Sequence, residues 1–300
     1  MTLSVFEPGA INGAQLRNRI IKTATYEGMS PGGVPSPRLT EHHVELARGG
    51  VGMTTVAYCA VSPEGRTFAE QMWMSTATQT ALSSLVRAVH AEGASVSVQL
   101  GHCGGFSKDK SHGQAPLGPM RAFNPYGIMV GLPFTRAMTE DDIARTVHDF
   151  AEAALHAKQA GFDAVEVHLG HGYLLSQWLS PVTNRRRDRH GGSLENRLLF
   201  PLMVVEAVRD AVGPEFPILA KINVSDGIKG GLEIEDAVVV SRAIVGAGVD
   251  AIVTSGGFVS RNAFYLLRGA RPLRHMIAVE KNWAQKIAMA VFGPFLVPKV

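Results

Sequence analysis

Apolar runs and helix-patterned stretches alternate along this chain, and that alternation is the tightest constraint on what it can fold into. The runs cover residues 19–25, 51–60, 94–100, 163–168, 217–224 and 250–254. Between them, residues 40–48, 78–91, 139–161, 193–212 and 233–246 carry helical spacing; Leu82, Leu85, Val86 and Val89 mark one such face. A strand–helix–strand repeat implies parallel strands joined by crossover helices, since a tight turn cannot make a parallel connection. Most of residues 51–60 are apolar, as a strand covered on both faces requires. The predicted class is α/β, a TIM (β/α)8-type barrel with about six strands present in this chain. Residues 1–300 read as one barrel domain, incomplete at its C-terminal end. After Gly256-Gly257 the pattern degrades, a helix is predicted near 277–289, and strands seven and eight are not found. The longest excursion, residues 101–138, is rich in Gly and Pro and reads as a functional loop over one end of the barrel. Thr139-Glu-Asp-Asp142 reads as a helix start, with a threonine cap and acids in the first turn.

Composition narrows the partners. With 46% hydrophobic and 18% charged residues, the chain can bury a large core. A net charge of +3 is too small to define a nucleic-acid surface. The one basic run, Arg185-Arg-Arg-Asp-Arg189, contains an acid and reads as a solvated loop. No apolar run approaches the roughly 20 residues that span a bilayer. The N-terminus shows no basic segment followed by an apolar one, so no signal peptide is expected. These features predict a cytoplasmic protein without membrane or nucleic-acid partners. Cys59 and Cys103 make no CxxC and read as buried free thiols in a reducing compartment.

The chemistry gathers at strand ends. His168-Leu-Gly-His171-Gly-Tyr173 directly follows the fourth apolar run. The two histidines are spaced like a helical metal pair, but a strand end followed by Gly172 is a turn, and no third ligand stands near. No metal is predicted; the imidazoles suit hydrogen bonding to a substrate oxygen instead. Tyr173, protonated at neutral pH, is a candidate proton donor, with plain packing as the other reading. Gln99, ending the third run, offers a donor and an acceptor to a heterocycle edge. Lys221, inside the fifth run, needs an anionic partner if buried. It could serve an anionic flavin or a Schiff base, and its position alone does not separate these.

Taken together these residues resemble the old yellow enzyme family of FMN-dependent NAD(P)H oxidoreductases and ene-reductases. The resemblance runs through Leu16-Arg-Asn-Arg-Ile20, Gly49-Gly-Val-Gly52, Ala60-Val-Ser-Pro-Glu-Gly-Arg66 and Val98-Gln-Leu-Gly-His102. It is densest over residues 168–197, in the pattern HxxHGYLxxxxLSPxxNxRxDxxGGSxENR, and covers roughly residues 3–257. It implies a TIM barrel with FMN across its C-terminal face, contacted by Thr23, Ala24, Thr25, Tyr26, Tyr58, Gln99 and Lys221. It further implies NADH or NADPH as electron donor and a small-molecule acceptor, an α,β-unsaturated carbonyl. That carbonyl would bind on His168 and His171 and be protonated by Tyr173.

The chain departs from the family pattern at several points. Lys221 stands where an arginine is usual, keeping charge but losing the bidentate fork. Ala24-Thr25 replaces a Pro-Met pair, Tyr26 is bulky where a small residue is common, and His190 replaces a tyrosine. The family grips the FMN phosphate from loops after strands seven and eight, so the expectation is a truncated chain that lacks much of that grip. Its open sheet edge would then favour a homo-oligomer. The alternatives are a flavin-free barrel remnant without activity, the iron–sulfur branch of the family, which needs a cysteine cluster, and a Schiff-base aldolase using Lys221.

Overall fold

The computed structural model describes residues 4–262 and, beyond them, Tyr265 and isolated positions between 274 and 291. The helix predicted near 277–289, and the stretch read as lacking two further strands, fall largely outside the described residues.

The chain opens with a hairpin the sequence reading did not include, β1 (Gly9–Ile11) and β2 (Ala14–Leu16), paired antiparallel. Its turn is Asn12-Gly13, with Asn12 at φ +46. The wall follows as β3 (Ile21–Lys22), α1 (Pro37–Arg48), β4 (Met53–Ala60), α2 (Thr76–Ala91) and β5 (Ser95–Gly101). Within the excursion, β6 (Leu117–Gly118) and β7 (Arg136–Ala137) pair in parallel. Then come α3 (Glu140–Gln159), β8 (Ala164–Leu169), α4 (Leu174–Leu179), α5 (Leu194–Val212), β9 (Ile218–Asn223), α6 (Ile234–Gly246), β10 (Ala251–Ser255) and α7 (Val259–Asn262).

Six strands form one parallel sheet in the order β10-β9-β8-β5-β4-β3, so each wall strand lies beside the previous wall strand in the chain. That sequential order, with helices between, is the wall of a (β/α) barrel. Every residue of β4, β8 and β9 is buried, as the apolar run at 51–60 predicts, whereas β10 is half-buried. On the helix side, Phe150 of α3, Trp178 of α4 and Phe200 of α5 are fully buried in one continuous core.

Several sequence expectations move. The first strand is two residues long rather than seven, because residues 23–30 leave the sheet. Helix α1 starts earlier than residue 40: Ser36 Oγ accepts from Leu39 N at 3.2 Å and Pro37 takes the first helical position, where its missing N–H costs nothing. The basic loop is not simply solvated. Arg186 lies over the Trp178 ring at 5.2 Å and donates to Pro119 O and Met138 O, bracing the excursion against α4. His190 is buried, edge-on to Trp178, with Nε2 3.2 Å from Glu140. Cys59 and Cys103 are free and buried, as expected. Among the described residues no helix is long and apolar enough to cross a membrane.

The start of α3 follows its sequence signature. Thr139 Oγ1 accepts from Asp142 N at 3.2 Å, and Asp142 Oδ2 accepts from Thr139 N at 2.8 Å. Arg136 and Arg145 both bond Asp142, and with Arg136 foremost they hold its carboxyl well below the usual carboxylate range. Thr139→Ala is expected to cost about 1 kcal/mol. That is a fall of about 2 °C in Tm for a chain this long, readable by thermal melting. An unchanged Tm would mean the cap is idle.

Candidate active site

At the end of β8 the chain must turn sharply to enter α4. His171 (φ +61) and Gly172 (φ +75) make that turn in the left-handed region. A side chain on Gly172 would run into the Phe258 ring, so glycine is needed twice over there. The turn is pinned by His171 N donating to Asn223 Oδ1 at 2.9 Å and Leu174 N donating to His102 O at 2.8 Å. The result brings three rings together: His168 lies 5.0 Å from His171 and 4.6 Å from Tyr173, centroid to centroid. Tyr58 and Phe106 close on Tyr173 at 5.2 and 5.3 Å.

Burial sets the protonation of this cluster. It drives the His168 pKa well below the ordinary histidine value, with His171 and Lys221 adding to the effect. His171 is lowered to about 4, first by burial and then by Lys221. Both imidazoles are therefore neutral at pH 7, each with one N–H to donate. His171 Nε2 is 2.6 Å from Ser255 Oγ, which ties down that ring nitrogen. His168 Nδ1 is buried with no partner among the described residues. Tyr173 and Tyr58 are both raised above the ordinary tyrosine value, mainly by burial, so both phenols stay protonated. The Tyr58 hydroxyl is already committed, donating to Gly65 O at 2.8 Å.

One layer deeper lies a polar floor. Gln99 Nε2 donates to Glu166 Oε1 at 2.6 Å, and Lys221 Nζ sits 3.2 Å from the same oxygen. Lys221 Nζ also donates to Ala24 O at 2.9 Å, joining the fifth wall strand to the chain leaving the first. The anionic partner expected of Lys221 is thus Glu166, a residue the sequence reading missed. Its signal was present: a carboxylate inside the apolar run at 163–168 raises the same question as a lysine inside 217–224. Ser255 and Asn223 were missed as well; each meets His171 from a position distant in sequence.

The structure brings His168, His171, Tyr173, Tyr58, Gln99, Lys221 and Ala24 into one site, with Ala24, Tyr58 and Tyr173 in a single apolar cluster. Thr23 and Thr25 are exposed beside them. Tyr26 is half-exposed and meets Phe68 edge-on at 5.8 Å. Among the described residues no group of three or more His, Cys, Asp or Glu could hold a metal. For a flavin the donor set fits: an amide, a cation and two neutral imidazoles face one strand end. Two buried polar atoms there, Glu166 Oε2 and His168 Nδ1, also lack partners among the described residues. Gly101 lets the Tyr58 ring pack directly on β5, since a side chain there would overlap that ring.

A six-stranded parallel wall carrying an imidazole pair, a phenol and a lysine–amide floor defines a flavin-dependent oxidoreductase barrel. The chain belongs to the NADH:flavin oxidoreductase / NADH oxidase family, whose description matches residues 4–263. This is the old yellow enzyme family, FMN-dependent enzymes that draw on NAD(P)H. Over 298 residues it is 40% identical to the 4,4'-dithiodibutanoate disulfide reductase of Rhodococcus erythropolis, covering 99% of this chain and 73% of that protein. Over 254 residues it is 38% identical to a metal reductase of Desulforamulus reducens, covering 85% of this chain but only 37% of the relative. Morphinone reductase in complex with tetrahydroNAD superposes with a TM-score of 0.75 at 28% identity, over 84% of this chain and 74% of that one. The aldolase reading of Lys221 falls with this family assignment.

Proposed function

We propose that this chain reduces an α,β-unsaturated carbonyl, with His168 and His171 binding the carbonyl oxygen and Tyr173 supplying the proton. The observation that carries the reading is the meeting of those three rings at one strand end, all uncharged. Bound FMN supplies the two-electron chemistry between NAD(P)H and the acceptor. Gln99 and Lys221 hold its polar edge, and Thr23, Ala24, Thr25, Tyr26 and Tyr58 border it. Two neutral N–H donors stabilise the oxygen as charge builds on it, without having to be discharged afterwards. Tyr173 holds its proton in a pocket walled by Tyr58 and Phe106, which keeps water from competing for the same position. The reading includes a cytoplasmic location and a small-molecule partner, the latter supported by the family to which the chain belongs.

The test is colour. Purified protein mixed with FMN is expected to retain the visible flavin band through gel filtration, bleach with NAD(P)H in the absence of oxygen, and regain colour on addition of an enone. A bleached enzyme that no enone reoxidises would reject the acceptor class. Because the relative at 40% identity is a disulfide reductase, an aliphatic disulfide is the second acceptor to assay.

A further inference from the structure

The polar floor contains a residue with no role in the reading above. Glu166 is fully buried, yet Gln99 and Lys221, both nearly as buried, direct their donors at its Oε1 and leave Oε2 without a partner among the described residues. Gln99 and Glu166 are register partners across β5 and β8. Lys221 pairs in register with His168, so its amine reaches back past that level to meet the carboxylate.

We propose that Glu166 is a positioning residue that sets the polarity with which this site meets the flavin; the proposal rests on the flavin reading above. A carboxylate bridging an amide and an ammonium can only accept. It therefore takes the Gln99 amino group, and the Gln99 carbonyl oxygen is the end presented to the ligand. Among the described residues that oxygen has no partner. The floor then offers an acceptor beside a cation, which is the complement of the flavin N3–H and C2=O. Glu166 also offsets the charge of Lys221, so an oxidised, neutral flavin ring meets a paired cation rather than a bare one.

Both halves are measurable without turnover. The wild-type chain is expected to bind FMN at least ~10-fold more tightly than N3-methyl-FMN, because methylation removes the donor and leaves a buried carbonyl unpaired. In Glu166→Gln the amide is free to turn, and that preference is expected to fall to about 3-fold or less. The same variant leaves Lys221 uncompensated, which favours the more negative reduced flavin. Its ratio of reduced to oxidised affinity is expected to rise about 10-fold, a midpoint potential about 30 mV more positive. An unchanged potential in a variant that still binds FMN overturns the proposal. Should Glu166→Gln fail to fold, the wild type decides alone: equal binding of FMN and N3-methyl-FMN overturns the polarity argument while the flavin reading stands. A wild-type chain that takes up no FMN overturns both.

Discussion

Tyr173→Phe is expected to slow acceptor reduction by about 10²–10⁴-fold, the usual worth of a positioned general acid. Flavin reduction by NAD(P)H should stay within about 2-fold of wild type, since that half-reaction asks no proton of Tyr173. The substitution is a clean one. Phenylalanine keeps the ring against His168, Tyr58 and Phe106, so packing survives and only the hydroxyl is lost. Stopped-flow absorbance separates the two halves on one sample. An acceptor that needs no carbon protonation, such as a quinone, should be reduced by the variant at nearly the wild-type rate. Equal slowing of both half-reactions would contradict the donor role. Because burial raises the Tyr173 pKa above its ordinary value near 10, the wild-type rate should show no alkaline loss from this group below that pH.

The second large effect is acid sensitivity. His43 and His102 are lowered to about 3 and His171 to about 4, each mainly by burial, and His168 is driven well below the ordinary value. In the unfolded chain all four return to about 6.5. As pH falls from about 6.5 toward 4, the unfolded state takes up protons that the folded state refuses, so stability is full above that window and is lost within it. Each such proton is worth about 1.4 kcal/mol per pH unit, which makes the limiting slope for these four groups about 5 kcal/mol per unit. Glu27 and Glu166 work the other way. Burial raises both, so the folded state holds their protons over a window where the unfolded state has released them. The net slope is therefore smaller but keeps its sign. Urea unfolding at a series of pH values should show the decline, and His43→Gln should reduce its slope by about one proton. A stability profile flat from pH 6.5 to 4 would refute the argument.

Much of the wall was legible because its signals are local. The cap at Thr139 and the apolar runs at 51–60 and 217–224 each depend on neighbours within a few residues. The motif at 168–173 marked the cluster of rings at the end of β8 for the same reason. What was missed falls into two kinds. The hairpin at Asn12-Gly13 carried a strong turn signal, but its strands are only three residues each, too short for period-2 alternation to register. Helix α4 is buried at all six positions and so has no polar face to give it a period. Glu166 and Ser255 are a different matter. Each is an ordinary residue in a strand until its partner arrives, Lys221 for one and His171 for the other, 55 and 84 residues away. Only the fold makes those pairs.

The buried charges of the floor also bear on how the barrel finds its alignment. A parallel strand that is apolar on both faces has little to tell one offset from the next. In β5, β8 and β9 a slip of one residue would carry Gln99, Glu166 or Lys221 from the interior to the helix side, among leucine and phenylalanine. There each would be stranded without its partner, at a cost of several kcal/mol per unpaired ion. The Ser97–Thr55 hydroxyl contact at 2.8 Å adds a weaker constraint of the same kind between β5 and β4. The residues assigned here to the cofactor thus act as keys that admit only one strand offset. An apolar replacement of the whole trio would remove those keys, leaving strand alignment to side-chain packing alone.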